Sequence, residues 1–106
     1  MPELKDAEIY GLLLAWAQEG CFVWKKVALE ELHRFDGPSY LAVQQAIRDH
    51  LERRGKVGEV AQYEPYEGEF GYEFRVTVEG YKLFAKIIIQ RQSNRLFVVG
   101  CHNGWR

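Results

Sequence analysis

The chain has 106 residues, of which 47% are hydrophobic and 27% charged, and its formal net charge is −1. That length allows one domain with one core, and the balance of apolar and charged residues excludes a disordered chain. No apolar run approaches the ~20 residues of a membrane span, and the acidic start (MPELKDAEIY) is unlike a secretion signal, so a cytoplasmic protein without a membrane partner is expected.

Residues 7–19 place Ile9, Leu12, Leu13, Trp16 and Ala17 at helical spacing, with Asp6 to cap the start and Gly20 to end it. Residues 21–24 (CFVW) read as a short extended piece. A second helix is expected over 27–35, turning Leu29 and Leu32 inward. Gly37-Pro38-Ser39 interrupts the chain, and Ser39 can cap a third helix over 40–54. Its apolar stripe is Val43, Ala46, Ile47 and Leu51, and Gly55 stops it. Arg53 and Arg54 in its last turn suit the negative end of the helix dipole.

From Val57 the period of the apolar residues changes from 3.6 to 2. Strands are expected over 57–63, 72–78, 81–90 and 95–102, with an acidic, aromatic loop (EPYEGEFG, 64–71) between the first two. The fold class is therefore α+β: two to three N-terminal helices packed on one face of a three- to four-stranded antiparallel sheet.

Cys21 and Cys101 are isolated thiols, expected to be reduced rather than paired. Without a CxxC or paired-His spacing, neither a structural zinc nor any cofactor is expected. The chain also lacks a GxSxG elbow, a GK[ST] phosphate loop and an isolated acid pair. Its charge is unevenly spread. Residues 59–73 carry five acids and no base, whereas residues 74–106 carry six bases and one acid. A basic block of this kind can attract phosphate.

The most informative stretch is YEFRVTV-EG-YKLFAKIII. A two-residue turn at Glu79-Gly80 fixes the register, pairing Val78 with Tyr81, Thr77 with Lys82, Arg75 with Phe84 and Glu73 with Lys86. One face then carries Phe74, Val76, Val78, Tyr81, Leu83, Ala85, Ile87 and Ile89, which is the core set. The other face gathers Arg75, Lys82 and Lys86 around Phe84, with Ile88 beyond and Phe97 and Val99 joining from the last strand. That face reads either as a solvated surface with a Glu73–Lys86 pair or as a platform for phosphates and bases.

The pieces Gly80-Tyr81-Lys82, Phe84-Ala85-Lys86 and Val98-Val99-Gly100-Cys101-His102, within YEFRVTVEGYKLFAKIIIQ…RLFVVGCHNG, resemble the C-terminal sheet of the RelE/MqsR-like toxins of bacterial toxin–antitoxin pairs. The resemblance covers about residues 40–103. It implies metal-independent cleavage of RNA, with an antitoxin protein as a partner that covers the basic and aromatic face. In that scheme Lys82, Lys86 and Arg75 stabilise charge at phosphorus, Phe84 supports the substrate, and His102 is the general acid or base. Simple alternation, however, puts His102 on the core face with Leu96 and Val98, and only a bulge near Gly100 turns it toward the cations. His33 and His50 are read as structural.

Three readings stand at this level: a toxin-like endoribonuclease, a binding module of the same fold for nucleic acid or a protein that uses Phe84, Ile88 and the lysines, and a domain whose second sheet face is covered by residues 7–19.

Overall fold

The computed structural model describes residues 2–61 and 70–104. In chain order the elements are α1 (Ala7–Gln18), β1 (Phe22–Trp24), α2 (Lys26–Arg34), α3 (Tyr40–Glu52), β2 (Gly58–Ala61), β3 (Phe70–Val78), β4 (Tyr81–Gln90) and β5 (Arg95–Asn103). The fold is α+β. Its sheet, ordered β1-β5-β4-β3-β2, has five strands and is mixed rather than a three- to four-stranded antiparallel one.

The extra strand is the CFVW piece. β1 runs parallel to β5, with Phe22, Val23 and Trp24 opposite Leu96, Phe97 and Val98. Parallel neighbours need a long crossover, and here the chain between β1 and β5 supplies it. Three residues are too few to show a period, and their partner lies more than seventy positions away, so the pairing leaves no local trace.

Helix ends follow the side chains that satisfy their open backbone groups. The Asp6 carboxylate accepts from the N–H groups of Glu8 and Ile9 at 2.9 and 3.2 Å, and the Ser39 hydroxyl accepts from Ala42 N–H at 3.2 Å. α3 ends at Glu52, earlier than expected, and Arg54 rather than Gly55 takes the left-handed conformation, with φ of 59°. Gly55 serves packing instead: a Cβ there would lie 2.5 Å from the His50 ring. α2 also departs from expectation, because Ala28 and Leu32 are its buried residues and Leu29 is only half-buried. Positions 28 and 32 lie one turn apart on one stripe, and the small alanine lets the helix approach the sheet.

The β3–β4 hairpin has the expected register, from Val78 opposite Tyr81 to Glu73 opposite Lys86. Glu79 and Gly80 both have positive φ (51° and 86°), as a type I′ turn requires. β2 starts at Gly58, one residue later than expected, and positions 62–63 with most of the acidic loop lie outside the described residues.

All three helices contribute to a single core. Leu13 and Ala17 of α1, Ala28 and Leu32 of α2, and Val43, Ile47 and Leu51 of α3 pack with Phe74, Val76, Leu83, Ala85, Ile87, Leu96, Val98 and Cys101 of the sheet. The opposite face of the sheet, called the outer face below, bears no helix among the described residues. α1 therefore does not cover it. Among the described residues no helix is long and apolar enough to cross a membrane.

Candidate functional site: the outer face of the sheet

The outer face is organised by the hairpin register and by one irregularity in β5. Opposite β4, the ladder runs Ile88–Phe97 and Ile87–Val98, then slips, and resumes as Lys86–Gly100, Ala85–Cys101 and Phe84–His102. Val99 is the extra residue, so Val99 and Gly100 together oppose Lys86. The slip restores the inward orientation one position late. Cys101 turns into the core beside Ala85, and His102 turns outward beside Phe84.

Arg75, Phe84 and His102 thus form one row across β3, β4 and β5. Lys86 and Lys82 lie on β4 one side-chain step to either side of Phe84. Directly opposed residues have Cβ atoms about 4.5–5.5 Å apart and diagonal ones about 7–8 Å, so the basic groups ring one aromatic side chain. The Arg75 guanidinium lies 5.8 Å from the centre of the Phe84 ring. Arg75 and Lys82 are exposed, Phe84 and Lys86 half-buried. All five residues singled out from the sequence share this face.

Two carboxylates that were not singled out as site residues belong to it. Glu31, on α2, reaches over the edge of β5 where β1 has ended. One of its oxygens accepts from the Cys101 N–H at 3.0 Å, and the other lies 3.0 Å from His102 Nδ1. The carboxylate is therefore held at both ends, and the imidazole is held by the carboxylate. Gly100 has no side chain to intrude there. A Cβ at that position would be 3.6 Å from both Glu31 Oε1 and His102 Nε2 and 3.8 Å from Lys86 Cβ, so the gap between the three has room for about a methyl group.

The second carboxylate is Glu73, read from the sequence only as a surface partner of Lys86. Its Oε1 lies 3.7 Å from Lys86 Nζ, but the side chain is only 7% exposed, and Oε2 has no hydrogen-bond partner among the described residues. The carboxylate is buried while the lysine is half-buried, and removal of the lysine would strand a buried charge. Glu73, Arg75 and Phe84 also line an open cavity of about 570 Å³, together with Lys56, Gly58 and the Pro2-Glu3 segment.

The apolar part of the face differs from expectation. Ile88 is 1% exposed, so it presents nothing to a ligand and drops out of the binding-module reading. Phe97 is half-buried, with Lys25 Nζ 4.5 Å from its ring centre. Lys25, at the end of β1, thereby joins the basic groups of this face.

The remaining candidates lie elsewhere. His50 Nε2 is 2.8 Å from the Lys56 carbonyl and its ring sits edge-on to Phe74, a packing role. His33 is exposed on α2. Both cysteines are free thiols, and burial, reinforced by the Glu31 charge, pushes the Cys101 thiol up to about 12. Among the described residues no three His, Cys, Asp or Glu side chains converge as a metal-binding group. No protein-family model, no curated protein and no solved structure matches this chain.

Proposed function

We propose that this chain is a metal-independent endoribonuclease of the RelE/MqsR-like toxin type, acting on RNA laid across the outer face and restrained by an antitoxin protein that covers it. The observation that carries the reading is the slip at Val99-Gly100, which puts His102 on the same face as Arg75, Lys82 and Lys86. Regular alternation would bury the imidazole, and a buried imidazole could not reach a phosphodiester.

Phe84 offers a surface for a base, a contact of about 1–3 kcal/mol when a nucleobase stacks on an aromatic ring. The cavity beside Arg75 and Phe84 gives a neighbouring base room off the platform. His102 acts as the general base, taking the proton of a 2′-hydroxyl. The freed oxygen attacks the adjacent phosphorus, and the bond from phosphorus to the 5′-oxygen breaks. That oxygen leaves with a proton from solvent or an ammonium group. The products are a 2′,3′-cyclic phosphate and a 5′-hydroxyl. Arg75, Lys82 and Lys86 offset the negative charge that accumulates on the phosphorane.

A binding module without chemistry is the second reading. The Glu73–Lys86 pair favours it, because a paired ammonium has less charge to lend to phosphorus. Incubation of the purified protein with RNA in EDTA separates the two. Cleavage leaving cyclic phosphate ends supports the nuclease, whereas RNA that is retained but intact assigns the face to binding alone.

A further inference from the structure

We infer that Glu31 is a positioning residue that sets the proton inventory of His102: it keeps the proton on Nδ1 and leaves Nε2 bare as the nitrogen that reacts. A carboxylate can only accept. With Glu31 Oε2 3.0 Å from Nδ1, a neutral imidazole makes that contact only as the Nδ1–H tautomer. The other carboxylate oxygen is fixed by the Cys101 N–H, so the acceptor cannot readily turn away. Nε2 then lies on the other side of the ring, beside Gly100, where a Cβ would be 3.6 Å from it. A free histidine favours the opposite tautomer, with the proton on Nε2, in which this nitrogen cannot take a proton from a 2′-hydroxyl.

The inference rests on the nuclease reading only in its kinetic consequence; the tautomer stands or falls by itself. The fold supplies an internal reference. His50 Nε2 faces the Lys56 carbonyl at 2.8 Å, and a carbonyl accepts as a carboxylate does, so neutral His50 carries its proton on Nε2. Two histidines in one chain are thus held in opposite tautomers by their acceptors.

The test is a two-bond proton–nitrogen correlation spectrum of protein with ¹⁵N-labelled histidine, recorded where the imidazoles are neutral and assigned with a His102→Gln variant. The expected result is Nδ1–H for His102 and Nε2–H for His50. Glu31→Gln keeps an oxygen for Cys101 and presents an amide N–H to Nδ1, so His102 should switch to Nε2–H while His50 stays as it was. Glu31→Ala gives a second readout should the glutamine variant fail to fold, with His102 moving toward the Nε2–H form. Wild-type His102 carrying its proton on Nε2, or a tautomer unmoved by both variants, overturns the inference. On RNA, Glu31→Gln should lose at least tenfold in kcat with little change in KM. A switch in tautomer that leaves kcat intact also overturns the assigned role. The expected tautomers in a wild-type protein that leaves RNA uncut would instead count against the nuclease reading.

Discussion

Lys86 has two roles that pull against each other. It faces a buried carboxylate on β3 and borders the gap beside His102. Lys86→Ala should therefore lose RNA cleavage and also lose about 1–3 kcal/mol of stability, because a charged acceptor is left buried without its partner. Adding Glu73→Gln to that variant should restore most of the thermal midpoint without restoring cleavage, which denaturation and cleavage assays on the pair would read. Lys82 is more exposed than Lys86, so Lys82→Ala should cut cleavage sharply with a smaller fall in midpoint than Lys86→Ala. Gly100→Ala is a finer probe. The added methyl meets its neighbours at 3.6–3.8 Å, ordinary contact distances, so the fold should tolerate it while access to Nε2 narrows. Retained cleavage in Gly100→Ala would mean that substrate does not enter between Lys86 and His102. At this scale the sequence showed the cations and Phe84, because alternation alone sorts them to one side. It left His102 conditional on a bulge, and it could not show Glu31, whose partners lie about seventy positions away.

The hairpin was legible because its turn admits one register. Glu79 nevertheless sits at φ 51°, a conformation that costs most L-residues about 1–2 kcal/mol. Asparagine tolerates it better, so Glu79→Asn should raise stability by about 0.5 kcal/mol, a few degrees in a domain of this size. A lower midpoint in that variant would mean that the glutamate makes a compensating contact. β1 was legible only as extended chain, since a three-residue parallel strand takes its place from β5 and not from its own pattern. α2 was placed correctly but rotated, because leucine attracts an inward assignment that the 28–32 stripe gives to alanine. The bulge in β5 escaped alternation by its nature. A strand read at period two carries no sign of a skipped step unless some residue, here Gly100, marks where one is tolerated.

Among the described residues all three helices pack on one side of the sheet, and the apolar periods gave that asymmetry correctly. The strand count failed because edge strands are short. Burial has a consequence for alkaline stability. Desolvation raises Tyr10 and Tyr72 above the ordinary tyrosine value, and Cys101 rises from 9.0 to about 12. Above pH 9 the unfolded chain gives up protons that the folded chain retains, so stability falls as pH climbs toward 12. Denaturant midpoints measured across that range should decline, and less steeply in Cys101→Ala; a flat profile would contradict the burial of these groups. Glu31 has a last consequence, for how the protein behaves in company. Beyond Val98 the rim of the sheet is no longer sheltered by β1, and the Cys101 N–H would be an invitation to a strand from another molecule. The carboxylate fills that vacancy with an acceptor that cannot be extended, so the group beside the imidazole also takes up a donor that an incoming strand would need.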